Sequence, residues 1–143
     1  MENDFFKRID NSNASTNRRN ELHHFIIQNP EYLSELCSIA LNTNYKNHYK
    51  GVWILEMIAE KQTELLSPYI NAICDAFSKI KNDSAIRGMS RVALFLGTST
   101  KIALTESQEE KIIGKSNDAR IATQNTRAAT IRLHSPALQP TTL

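Results

Sequence analysis

A chain of 143 residues with 41% apolar and 22% charged side chains can bury a core of its own, which excludes an intrinsically disordered segment. The formal net charge of +2 is too small to argue for a nucleic-acid or membrane partner, and no apolar stretch is long enough for a membrane span. Met1–Asp10 lacks the apolar core of a secretory signal and the chain has only two cysteines, so the expected compartment is the reducing cytoplasm.

Four glycines and four prolines leave little room for strands and tight hairpins, and the apolar spacing is helical nearly throughout. Phe5, Phe6 and Ile9 predict a short opening helix, closed by the polar run Asp10–Asn13. A second helix over 14–28 turns Leu22, Phe25 and Ile26 inward. Asn29-Pro30-Glu31 reads as a cap, a first-turn proline and an acid that suits the helix dipole, and it opens a third helix over 30–42.

A fourth helix over 48–62 is apolar on several sides, through Val52, Trp53, Ile54, Leu55, Met57 and Ile58, and must be buried nearly all round. Ser67-Pro68 repeats the cap and proline and opens a fifth helix over 68–81. Asn82-Asp83-Ser84 caps a sixth over 84–96, buried through Ile86, Met89, Val92, Ala93, Leu94, Phe95 and Leu96 and ended by Gly97. Thr105-Glu106-Ser107-Gln108 is a capping box. The helix it starts is cut short at Gly114, which leaves Val92, Phe95 and Leu96 short of cover. Residues 1–113 are nearly neutral, with 13 basic and 14 acidic side chains. Residues 114–143 form a basic tail, with Lys115, Arg120, Arg127 and Arg132 against Asp118 alone. The tail is irregular or holds one weak helix through Ile121, Ala128 and Ile131.

One pattern recurs. Tyr32-Leu33…Leu36-Cys37…Ala40 is matched 37 residues later by Tyr69-Ile70…Ile73-Cys74…Phe77. Gly51-Val52 and Gly88-Met89 stand at the same interval of 37. The helices therefore fall into pairs, 14–28 with 30–42, 48–62 with 68–81 and 84–96 with 105–113. A fixed period of one helical hairpin marks an α-solenoid, because stacked units place the same burial demand on equivalent positions. Over residues 14–113 the chain resembles the HEAT and armadillo-like helical repeats, and Asp83-Ser84-Ala85-Ile86-Arg87 resembles the opening of a HEAT first helix. The resemblance implies an all-α, right-handed superhelix of three hairpins over 1–113, with the opening helix as a cap.

No phosphate loop, nucleophile elbow or metal-binding helix occurs, so no catalytic residue, cofactor or metal is assigned. Cys37 and Cys74 read as buried free thiols, since stacked helices stand about 8–10 Å apart and a disulfide needs less. His23 and His24, adjacent on a helix, point about 100° apart and read as surface residues rather than metal ligands. Trp53 with Glu56 and Glu60 has the spacing to line a cleft, but the same face reads rather as a core tryptophan bordered by solvated acids. In helical-repeat families the second helix of each pair lines the binding face. That implies a partner surface at Ser34, Glu35, Ser38, Asn71, Asp75 and Ser78, polar and mildly acidic, suited to a basic or polar peptide. The expected function is thus a protein-interaction module with no chemistry of its own, and the open third pair adds an expectation of self-association. The alternative is a nucleic-acid-binding repeat protein of DNA-glycosylase type using the tail arginines, although the repeats offer no basic face.

Overall fold

The computed structural model of the chain describes residues 2–13 and 15–115. Every regular element among the described residues is helical: α1 (Glu2–Asp10), α2 (Thr16–Gln28), α3 (Leu33–Ala40), α4 (His48–Lys61), α5 (Ile70–Phe77), α6 (Asp83–Thr98) and α7 (106–115). None of these helices is long and apolar enough to cross a membrane.

The central helix is α4, which packs on α1, α2, α3 and most extensively on α6. Its sequence requires this, since Val52, Ile54, Leu55, Ile58 and Ala59 cover several sides of the cylinder and all are fully buried. Two glycines bring its neighbours close. A Cβ on Gly51 would stand 3.1 Å from the Ala40 backbone of α3, and one on Gly88 of α6 would stand 2.5 Å from Val52 Cγ1. In both places the missing side chain lets one helix lie directly on another.

The repeated sequence folds alike in both copies. Pro30–Tyr32 and Thr63–Tyr69 are 3₁₀ turns that lead into α3 and α5, and each of these helices has eight residues. Adding 37 to the bounds of α3 yields the bounds of α5. The doublet residues also share their environments: Tyr32 and Tyr69 are half-buried, and Leu33/Ile70, Leu36/Ile73, Cys37/Cys74 and Ala40/Phe77 are buried in both copies. Side chains at this same interval meet directly. Asn47 Nδ2 donates to Asp10 Oδ1 at 3.0 Å, Gln108 Nε2 donates to Asn71 Oδ1 at 2.8 Å, and Lys101 Nζ stands 3.9 Å from Glu64 Oε1.

The opening helix is fastened at both ends of its apolar face. Phe5 and Ile9 are buried, and the Phe5 ring packs on Phe25 and Tyr32 with centroids 5.9 and 5.1 Å away. At its C-terminus the Tyr45 hydroxyl and the Asn47 amide both donate to the Asp10 carboxylate, and Lys50 Nζ donates to the Asp10 carbonyl at 2.6 Å. Those two donors hold the Asp10 carboxyl below its usual range, Tyr45 having the larger effect.

Several local expectations are corrected. Asn29 closes α2, its amide donating to the Phe25 carbonyl at 2.9 Å, and does not cap the following turn. Ser67 is no cap either, because the chain is already helical from Thr63 and Pro68 lies within that 3₁₀ turn. Gly97 does not end α6, which continues to Thr98; a Cβ there would meet Ile112 Cγ2 at 3.3 Å, so its role is to admit α7. The capping box forms as expected, with Thr105 N–H donating to Gln108 Oε1 and Gln108 N–H to Thr105 Oγ1. The helix it starts passes through Gly114 instead of stopping there. Val92 and Leu96 are therefore fully covered, and only Phe95 remains half-buried. Ile86 is exposed, since Ala85 and Met89 take the inward positions of α6, and Leu94 is only half-buried.

Candidate partner-binding surface

The second helices position the candidate surface. Leu33, Leu36, Cys37, Ile39 and Ala40 of α3, and Ile70, Ile73, Cys74, Ala76 and Phe77 of α5, are buried, which leaves the polar positions of both helices toward solvent. Ser34 and Ser38 of α3 are exposed, whereas Glu35 is half-buried. Asn71, Asp75 and Ser78 are exposed on and just beyond α5. Asn71 accepts the Gln108 amide of α7, so it joins two helices rather than standing open.

Asp75 and Ser78 enter a groove of about 430 Å³ between α5 and α7, together with Cys74, Phe77, Lys79, Lys111 and Lys115. The ammonium of Lys115 lies 5.8 Å from the centroid of the Phe77 ring. Three lysines against one aspartate make the lining +3 − 1 = +2, so this end of the surface is basic, contrary to the acidic character expected from α3 and α5 alone. The lysines were missed because the third pair was read as truncated. The repeat held the signal, since Lys111 and Lys115 follow Cys74 and Ser78 at the interval of 37.

Both cysteines are free and buried. Burial pushes the Cys37 thiol up to about 12. It also raises Cys74, against an opposite pull from Lys111. Neither is poised as a nucleophile at neutral pH.

Trp53 is half-buried rather than enclosed, with Tyr49 packed edge-on at 5.3 Å and the Arg19 guanidinium 5.3 Å from its ring. Glu56 pairs with Arg91, Oε2 to Nε at 2.6 Å, although burial still raises its carboxyl. Glu60 is exposed whereas Glu56 is half-buried, and Trp53 does not line the groove between α5 and α7.

His24 is exposed, while His23 is half-buried with Nε2 2.8 Å from Gln62 Oε1. His48 is fully inside, its Nδ1 donating to the Ala40 carbonyl at 2.8 Å across the joint between α3 and α4. No group of three or more His, Cys, Asp or Glu side chains among the described residues is placed to hold a metal ion. Arg120, Arg127 and Arg132 of the tail, and the expected weak helix through Ile121 and Ile131, lie outside the described residues. Comparison with protein families, characterised proteins and solved structures finds no significant match.

Proposed function

We propose that the chain is a HEAT- or armadillo-like helical-repeat module whose second helices hold a partner protein or peptide. The observation that carries this reading is the set of contacts between side chains 37 residues apart: Asp10 with Asn47, Glu64 with Lys101, and Asn71 with Gln108. Equivalent positions of successive units touch when the units are stacked by translation, as in a solenoid. The first helices agree with it, since α2 packs on α4 and α4 on α6. Such a stack would leave an extended face that suits an elongated partner, and the exposure of Ser34, Ser38, Asp75 and Ser78 agrees with this reading.

The test is site-specific photo-crosslinking in native cells. A benzophenone side chain at Ser34, Ser38 or Ser78 should capture a discrete partner, while one at Asn20 or Arg87 on the first helices should not. Equal capture from both sets, or none from the second helices, would refute the proposal.

A further inference from the structure

We infer that a second copy of the chain docks its α7 into a groove between α1 and α2, so that copies join head to tail. This rests on the stacked reading, which puts those helices at opposite ends, and adds self-association to it. Arg19 and His23 turn one side of α2 toward α4, where they meet the Trp53 ring and Gln62. Glu21, Phe25 and Gln28 follow at i, i+4 and i+7 along another side. With Arg8, His24 and Asn29 they line a groove of about 420 Å³. The Arg8 guanidinium stands 4.4 Å from the centroid of the Phe25 ring, and no carboxylate among the described residues pairs with it. Glu21, the single acid of the lining, stands 3.6 Å from Arg18. Arg8 and Arg18 against Glu21 leave one positive charge, and Lys7, exposed and next to Arg8 in the chain, adds another. A guanidinium stacked on an aromatic ring keeps its outer edge open for a carboxylate.

The complement is carried by α7. Gln108 and Ile112 turn that helix toward α5 and α6, where they meet Asn71 and Gly97. Glu106, Glu109, Glu110 and Ile113, at i, i+3, i+4 and i+7, are exposed along another side. None of the three glutamates has an ion pair among the described residues, whereas Lys111 and Lys115 line the groove against α5. At 50% exposure Ile113 is the most exposed large apolar side chain among the described residues, so the acids border an apolar surface. Carboxylates around an isoleucine match a groove in which unpaired Arg8 lies over half-buried Phe25. The two surfaces differ, so the contact is heterologous and adds copies without closing at two.

The experiment is sedimentation velocity on the full chain over a concentration series at low and high salt. At low salt the mean mass should rise past that of two copies, and it should fall toward one copy as salt rises. The head variant Lys7→Glu/Arg8→Glu and the tail variant Glu109→Lys/Glu110→Lys should each associate at least about tenfold more weakly while keeping their helical spectra. An equimolar mixture of the two should regain association, because the acidic α7 of the head variant meets the basic groove of the tail variant. Lys61→Glu/Lys81→Glu, with the same change in charge elsewhere, should behave as the parent does. A parent chain that stays monomeric at low salt overturns the inference, as does a mass that levels off at two copies. So does a mixture no more associated than its separate parts. If crosslinks form from Ser34 and Ser38 while the chain stays monomeric, the module stands and only the contact between copies is wrong.

Discussion

Substituting Gly88 by alanine sets two known effects against each other at the most extensive helix contact among the described residues. Gly88 lies inside α6, where alanine should gain about 1 kcal/mol of helix stability. The new Cβ, however, would stand 2.5 Å from Val52 Cγ1, well inside contact distance. Val52 is completely buried, and a β-branched side chain in a helix has one strongly preferred rotamer, so it cannot swing away. The overpacking should therefore cost about 3 kcal/mol, the upper part of the usual range, and the net loss should be about 2 kcal/mol. Removing the obstacle reverses the sign. Val52→Ala alone should cost about 2–3 kcal/mol, but in that background Gly88→Ala should stabilise by about 1 kcal/mol. The coupling between the two sites is then about 3 kcal/mol. Urea titrations followed by circular dichroism measure all four species, provided the slope with denaturant stays constant. Gly88→Ala that is neutral or stabilising with Val52 present would show that α4 and α6 do not approach this closely. Gly114→Ala is the internal control. Among the described residues nothing outside its own helical turn comes within 4 Å of its would-be Cβ, so the helix gain should appear without a penalty.

Trp53→Ala should cost about 2 kcal/mol, less than a fully enclosed tryptophan, because the ring is half-buried and loses mainly its contacts with Tyr49 and Arg19. A denaturant titration showing a loss above about 4 kcal/mol would place the ring in the core. The Cys37 thiol is pushed from 9.0 up to about 12 by burial, so between those values the unfolded chain releases a proton that the folded chain keeps. Stability from this site is thus full below about pH 9 and falls as the pH climbs toward 12. The decline should be shallower in Cys37→Ala, and identical alkaline profiles for the two proteins would argue against burial of the thiol.

The sequence by itself determined the all-helical character of the described residues and the correspondence of α3 with α5. Helical spacing of apolar residues is a local property, and a side chain that must face inward in one unit must do so in the next. For that reason Leu36, Cys37 and Ala40 forecast the burial of Ile73, Cys74 and Phe77. Caps within one turn were legible where the bonding closes locally, as at Asn82, which accepts from the Ala85 N–H, and at Thr105 with Gln108. Asn29 and Ser67 were misread within a single turn, and the other errors fall where a residue answers to something distant in sequence. Gly97 looked like a helix end but is small because Ile112 approaches it from α7. His48 has an ordinary surface composition around it, yet it is buried because the Ala40 carbonyl needs a donor at the joint between α3 and α4. The basic groove was hidden for the same reason. Lys79 follows α5, Lys111 and Lys115 belong to α7, and only the stacking of those helices brings the three charges around Phe77. The interval of 37 relates Lys111 and Lys115 to Cys74 and Ser78, but only the tertiary structure adds their charges to that of Lys79 in one groove.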